Sequence, residues 1–430
     1  MMEEQQSLDR EDVLSLITSQ LRYYGYTEIA QTLTEESNIP MDQSASSELS
    51  DLLYSATYSS KDEDDDEEEE DEEEYDISGI DEISYSDDEI QSEDFPSKYL
   101  TDIDPETNYE PKQTPNYNLW YITTHRAAAT CVRFKKDGKF AATGSADSSL
   151  KVLDTSKMKS HSDEDRPVIR TLYDHTGRVN DLSFHPNGLT LASCSDDRNI
   201  KLFDIATQGI KRSFRFLRDK YPVRSIDFHP TGEYMLAGTD HEAIRFWDVQ
   251  NIKCYVPPNS QSNHRSSITK VRWNSNGGKF VSSSLDGSIK VWEGENGDCI
   301  QTIENAHSGQ AVSSVEFSKS GAYVLSSGCD STSKLWDANS GKCIITYEGA
   351  VHRNNHVQST FLCEEDYVIS SDESDNSIIC WDSRTGKLLT RWTGHTGIVR
   401  YVAASPTESG FMSCGDDFRV RYWNLDPAQS

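Results

Sequence analysis

Residues 175–204 read HTGRVNDLSFHPNGLTLASCSDDRNIKLFD, a pattern of short strands and tight turns rather than of helix. After His175 the apolar Val179, Leu182 and Phe184 sit along a first strand, and Pro186-Asn187-Gly188 makes a turn. Residues 189–194 form a second strand, Asp196-Asp197 a second turn, and 200–204 a third strand. The unit is a meander whose apolar face needs a neighbour to cover it.

The neighbours are copies of the same unit. Its closing acid, or a substitute, falls at Asp154, Asp204, Asp248, Glu293, Asp337, Asp382 and Asn424, a period of about 44 residues. The residue before it is Phe203, Trp247, Trp292, Trp336, Trp381 or Trp423, with Leu153 in the first copy. Gly297, Gly341 and Gly386 each precede a further apolar stretch, at 299–303, 343–347 and 388–392, which supplies a fourth strand. Four strands per copy and seven copies predict a mainly β fold, a seven-bladed β-propeller over 116–430. Such a ring must protect its first and last blades. The last copy ends too soon for a fourth strand, while 119–122 precedes the first copy with no blade of its own, so this piece is expected to close the ring.

The repeat resembles the WD-repeat family. In that family a His, a Ser or Thr, an Asp and a Trp form a hydrogen-bonded set within a blade. The resemblance places this structural role on His175 with Asp197, on His307 with Asp330 and Trp336, and on His395 with Asp417 and Trp423. The third copy departs, with His241 where the Asp belongs, and the sixth offers His352 or His356 with Asp375.

The rest of the chain has another character. It holds 430 residues, 35% hydrophobic, with 73 acidic against 41 basic side chains and a formal net charge of −32. Residues 1–115 contain 36 acidic and 5 basic residues, so the repeat region is nearly neutral. Within 62–94 there are 21 acidic side chains and no basic one. With its prolines, 62–115 has the composition of an extended acidic disordered linker. Before it, Val13, Leu14, Ile17 and Leu21 make one helical stripe, Tyr26, Ile29, Ala30 and Leu33 a second, and Leu49, Leu52, Leu53 and Ala56 a third. Three short helices in 1–61 bury little surface, which favours self-association over independence. Docking of these helices on the rest of the chain is the alternative. Leu14, Ile17, Leu21 and Leu33 are the expected dimer core.

No secretory leader pattern and no apolar run of membrane-spanning length appear, so no membrane role is expected. The nine cysteines form no C-x-x-C pair and read as free thiols of a cytosolic or nuclear protein. No run of several consecutive basic residues marks an import signal, the densest being the pair Lys135 and Lys136, which leaves nuclear entry to a partner. No phosphate loop, G-x-G-x-x-G or G-x-S-x-G is present, and neither a cofactor, a metal nor catalysis is expected. Lys211, Arg212, Arg215, Arg218, Lys220 and Arg224 interleave with Phe214, Phe216 and Tyr221. That mixture suits phosphates and stacked bases, or a protein partner. As an outer strand it would instead turn Phe214 and Phe216 inward and solvate the charges. The acid run reads either as a surface for basic partners or as a solubilising spacer, and Ser86 before Asp87, Asp88 and Glu89 suits an acid-directed kinase.

Longer stretches narrow the resemblance. ATGSADSSLKVLDT at 142–155, RPVIRTLYDH at 166–175, FSKSGAYVLSSGCDSTSKLW at 317–336, CWDSRT at 380–385 and SPTESGFMSCGDDFRVRYW at 405–423 are similar to the WD-repeat subunits of the cleavage stimulation factor. SLITSQLRYYGYTEIAQTLTEE at 15–36 is similar to the helical homodimerisation domain of that family. The resemblance implies a nuclear, noncatalytic scaffold of pre-mRNA 3′-end formation. Its implied partners are a second copy of itself, the HAT-repeat subunit, and, within the complex, an RNA-binding subunit and pre-mRNA. The acid run exceeds what the family's linker implies. Two other classes of function stay open: Trp381-Asp382-Ser383-Arg384 matches the W-D-x-R of cullin-ligase substrate receptors, and a propeller with an acid run suits a histone chaperone.

Overall fold

The computed structural model describes residues 114–159, 166–207, 209, 211–257, 259–353 and 357–425. The expected N-terminal helices, with Leu14, Ile17, Leu21 and Leu33, and the acid run with Ser86 lie outside the described residues, as does His356.

The described residues form seven antiparallel four-stranded sheets. Blades 1 to 6 take residues 129–173, 179–218, 223–255, 268–303, 312–347 and 360–392. In each the chain meanders outward, so the first strand is innermost and the fourth outermost. Innermost strands of successive blades lie side by side around the axis. Blade 7 combines Val399–Ala404, Phe411–Gly415 and Arg419–Leu425 with Tyr117–Thr124 from the other end of the repeat region. The pairing runs from Tyr117 opposite Leu425 to Thr124 opposite Arg419. The closing strand is therefore eight residues long and contains the expected 119–122 piece.

Apolar side chains fill the space between blades rather than one central core. Ala192, Cys194, Ile200, Leu202 and Leu217 of blade 2 pack against Ile226, Met235 and Trp247 of blade 3. Val281, Ile289 and Val291 of blade 4 meet Val315, Val324 and Trp336 of blade 5 in the same way. At the seam, the Tyr117 ring meets Trp392 at 5.1 Å and Phe411 at 5.0 Å, edge-on, and its hydroxyl lies 3.0 Å from Cys363 Sγ. Turns at one end also interlock. Gly188 has a positive φ of 71°, and a Cβ there would stand 2.2 Å from Lys135 Cε of blade 1. The positive φ favours glycine at this turn, and a larger residue would also have to push the end of the Lys135 side chain aside.

One irregularity repeats around the ring. The register of the innermost strand breaks between Ala129 and Cys131, Val179 and Asp181, Val223 and Ser225, Ile268 and Lys270, Val312 and Ser314, and Val399 and Tyr401. A bulge leaves one residue out of the ladder and re-aims its side chain. The skipped residues are Thr130, Asn180, Arg224, Thr269, Ser313 and Arg400, and all six line the same end of the axial channel.

Candidate functional site

The histidines of the repeat sit inside the blades. In blade 5, Trp336 Nε1–H donates to Ser326 Oγ at 2.8 Å, and that hydroxyl lies 2.7 Å from His307 Nε2. His307 Nδ1 lies 2.9 Å from Asp330. Because a carboxylate only accepts, the proton belongs on Nδ1, and Ser326 donates to Nε2. Blade 7 repeats the chain from Trp423 through Ser413 and His395 to Asp417, at 2.8, 2.8 and 3.0 Å. In blade 2, His175 meets Ser193 and Asp197 at 2.7 Å each, while Phe203 in place of Trp ends the chain there. Burial holds the imidazoles of His307 and His395 below their ordinary pKa despite their carboxylate partners, so they are neutral. Burial opposes ionisation of Asp197, but its bonds from His175 and nearby backbone hold its carboxyl down at about 2.

Two further sets escaped the sequence reading. His264 reaches Ser282 at 2.7 Å and Asp286 at 3.3 Å, with Trp292 donating to Ser282 at 2.8 Å. His125 lies 2.9 Å from both Thr143 and Ser149, and 3.7 Å from Asp147. The signal was present: each His precedes its Asp by 22 residues, as His175 precedes Asp197.

Blades 3 and 6 are built differently. Asp219 and His241 have exchanged places, and the two side chains no longer pair; the His241 ring instead lies 4.8 Å from that of Tyr221, tilted by 39°. Ala237 stands ten residues before Trp247, where serine serves the tryptophans of blades 4, 5 and 7, and Trp247 Nε1 has no hydrogen-bond partner among the described residues. In blade 6, Asp375 accepts from Ser377 N at 3.0 Å and holds the turn, but no bond joins it to His352. His352 is buried, its Nε2 donates to the Ser371 carbonyl, and its Nδ1 has no partner among the described residues. Trp381 donates to the Glu348 carbonyl at 2.8 Å. Trp381, Asp382 and Ser383 are fully buried, and Asp382 accepts from Arg384 N at 3.1 Å, so most of the W-D-x-R motif is held within the blade.

A charged cluster blocks the axis. Asp181, wholly buried in blade 2, receives Arg272 of blade 4 at 2.9 and 3.3 Å, Lys270 at 3.2 Å and the Ser225 hydroxyl of blade 3 at 2.7 Å. Arg133 of blade 1 approaches to 3.9 Å. Arg272 also donates to the Tyr401 hydroxyl of blade 7 at 2.9 Å, and the Lys270 ammonium sits 4.5 Å from the centre of that ring. Burial alone would raise the Asp181 pKa, but the charges of Arg272, Lys270 and Arg133 hold it well below the usual range. Burial pushes Lys270 down to about 8, against the pull of Asp181.

The basic stretch 211–224 is divided between two places. Phe214 and Phe216 are 51% and 53% exposed, contrary to the inward orientation expected of an outer strand. The outermost strand of blade 2, Arg215–Arg218, pairs Leu217 opposite Ile200 and buries it. Period-two alternation then sends Phe216 and Phe214 outward and Arg215 inward, where its guanidinium donates to the Val249 and Gln250 carbonyls of blade 3. Lys211, Arg212, Arg218 and Lys220 are exposed beside the two rings. Arg224 stands apart, on an innermost strand, bonded to Asp240 at 2.7 Å and Asp196 at 2.7 Å.

Among the described residues, no group of three or more His, Cys, Asp or Glu is placed to hold a metal, and no helix is long and apolar enough to cross a membrane.

Comparisons with known proteins agree with this architecture. The family model described as "WD domain, G-beta repeat" matches residues 117–154, 166–204, 213–248, 256–293, 297–337 and 386–424, more than half of the chain. The β-propeller domain of Cps50 (Swd1) from Myceliophteria thermophila superposes with a TM-score of 0.62 at 18% identity, over 72% of this chain and all of that one. That likeness concerns the fold. The WD repeat domain-containing protein 83 homolog of Dictyostelium discoideum is 22% identical over 70% of this chain and 96% of its own. "Cleavage stimulation factor subunit 50" of Arabidopsis thaliana is 40% identical over 317 residues, 73% of this chain and 74% of its own. A propeller whose sequence tracks that subunit so closely, on top of the repeat match, places the chain among the WD-repeat proteins and, within them, in the family of the WD-repeat subunit of the cleavage stimulation factor.

Proposed function

We propose that the protein is a noncatalytic scaffold of a cleavage stimulation factor, acting in the nucleus in cleavage and polyadenylation of pre-mRNA. The observation that carries this reading is the 40% identity to the Arabidopsis subunit over 317 residues. Helices within 9–58 hold two copies together through Leu14, Ile17, Leu21 and Leu33, and each propeller presents a surface to the HAT-repeat subunit. Two linked attachments act as one stronger attachment, because the second contact forms at high local concentration. The exposed strip of Lys211, Arg212, Phe214, Phe216, Arg218 and Lys220 is a further surface for RNA or protein held in that complex. Its two outward rings and four exposed basic residues suit stacking and phosphate contact.

The test is mass spectrometry of proteins co-purifying with the tagged full chain from nuclear extract. Recovery of the HAT-repeat and RNA-binding subunits in near-equal amount is expected. A cullin adaptor or core histones in their place would overturn the assignment. Charged replacements of Ile17 and Leu21 should yield monomers in sedimentation, and intact dimers would remove those residues from the interface.

A further inference from the structure

Most blades carry a cation two residues before the closing aromatic of the third strand, and in all but one of them it is tied down. Lys151, Lys201 and Lys334 donate to the carbonyls of Thr124, Asp174 and Ala306, each the residue before the histidine of its blade. Arg245 pairs with Asp219 and Arg421 with Asp417. Lys290 of blade 4 is the exception. The matching carbonyl is that of Asn263, yet the Lys290 ammonium has no hydrogen-bond or ion-pair partner among the described residues; the centre of the Trp292 ring lies 6.0 Å away. The chain entering blade 4 differs too, for a 3-10 turn, Ser260–Ser262, precedes Asn263. Lys290 is only 9% exposed and lines a cavity of about 350 Å³, to which that turn contributes Gln261 and Ser262. The cavity shares no residue with the axial channel or with the 211–220 strip. A buried cation without a partner costs free energy, and an anion entering the cavity would relieve that cost.

We propose that this cavity binds a small phosphorylated polyol, its phosphoryl group held between buried Lys290 and exposed Arg265. The Arg265 guanidinium, 82% exposed, pairs only with Glu304, itself 60% exposed, at 3.3 Å, and solvent screens such a pair enough for a stronger anion to displace it. A carboxylate would offer Arg265 no more than Glu304 already does. A phosphoryl group carries a charge of about −1.5 to −2 and three acceptor oxygens, which serve both cations at once. The acids of the wall limit the ligand to one such group. Glu304 stays close, and Asp286 is committed: one of its oxygens accepts from Ser288 N and Oγ at 2.8 and 2.6 Å, the other from Arg265 N and His264 Nδ1 at 2.7 and 3.3 Å. The rest of the wall selects the carrier. Amides and hydroxyls of Gln261, Ser262, Thr302 and Asn305 suit the hydroxyls of a sugar or cyclitol. No aromatic ring lines the cavity to stack a base, and Cys299 is its only apolar lining residue, which leaves little for a peptide. The volume lies near the lower end of ligand pockets, the scale of one phosphorylated hexose. The inference rests on the propeller alone and does not depend on which complex the protein joins.

The test is calorimetric titration of the full chain in phosphate-free buffer at physiological salt, where the far field of its net charge is screened beyond about 8 Å. The probe is glucose 6-phosphate, with glucose and inorganic phosphate as its two halves. Saturable binding of glucose 6-phosphate is expected, with none of glucose and weaker binding of inorganic phosphate. Lys290→Met keeps most of the buried stem and should abolish binding without lowering Tm, because no partner is lost. Arg265→Ser, at an exposed position where the fold is not at stake, should weaken binding about tenfold. Lys387→Met, at an exposed position of blade 6, should leave binding intact. Three results would overturn the proposal: no saturable binding of glucose 6-phosphate, binding that persists in both Lys290→Met and Arg265→Ser, or inorganic phosphate held as tightly as the sugar phosphate.

Discussion

Asp181 and Arg272 are 91 residues apart in sequence and meet at 2.9 Å on the propeller axis, both buried. Neither belongs to the hydrogen-bonded sets that recur from blade to blade. Together with Lys270, Ser225, Arg133 and Tyr401 they connect blades 1, 2, 3, 4 and 7 across the centre of the ring, where no apolar core exists. The cluster is balanced only as a whole. Asp181→Asn would leave Arg272 and Lys270 as neighbouring buried cations, and breaking a buried pair in this way costs about 3–5 kcal/mol. Thermal unfolding should show a large drop in Tm, and Asp181→Asn with Arg272→Met should recover part of it. A single variant that melts like the parent would mean that the centre is wetter than its geometry indicates.

Trp247 offers a change in the opposite direction. Its indole N–H is buried without an acceptor because Ala237 replaces the serine that serves Trp292, Trp336 and Trp423 at 2.8 Å. Ala237→Ser adds one oxygen at that place, and a satisfied buried donor contributes about 1 kcal/mol. The expected result is a higher Tm for Ala237→Ser and no gain when Trp247→Phe is also present. A gain that survives Trp247→Phe would refute the hydrogen-bond account.

These contacts separate what the chain discloses in one dimension from what it does not. The seven blades follow from a local period, because each turn and strand lies within one copy. The spacing of 22 residues between His and Asp would have located His125 and His264 too, had it been applied to copies whose other positions are weaker. The Asp181 cluster is of another kind. Its members come from five copies and are neighbours only because the ring closes. The outward turn of Phe214 and Phe216 was likewise hidden, since the parity of Arg215–Arg218 is decided by which residue, Leu217, the preceding strand accepts opposite Ile200. Blade 6 resisted reading for a related reason: the aspartate that keeps the turn, Asp375, is not the one that is buried, Asp372, which is bonded to Arg391.

Ring closure predicts a stability effect larger than the size of its segment. Deleting 116–122 removes most of the outermost strand of blade 7, exposes the edge of Arg419–Leu425 and takes Tyr117 away from Trp392 and Phe411. Loss of one buried aromatic alone costs roughly 3–5 kcal/mol. The melting temperature should fall by many degrees, and Tyr117→Ala should account for a measurable part of the fall. An unchanged melt of the deletion would show that the seam does not hold the ring.

The neutral histidines set the response to acid. Burial, with help from nearby Lys151 and against the pull of Asp147, holds His125 down to about 4, while the unfolded chain titrates near 6.5. Between these values the unfolded state takes up a proton that the folded state refuses, so stability falls as pH drops from 6.5 toward 4. At pH 5 this one group costs about 2 kcal/mol relative to neutral pH. His264, His307 and His395 are shifted in the same direction, each by burial. Asp197 and Asp286, whose folded pKa values are lowered against the opposing effect of burial, act in another window: their contribution is complete above the ordinary carboxylate range and is lost only below it. Melts at pH 7.5, 6 and 5 should therefore show Tm descending above the window in which Asp197 and Asp286 titrate. His125→Gln should flatten that slope by close to one proton, and a slope unchanged by the substitution would place the titration elsewhere.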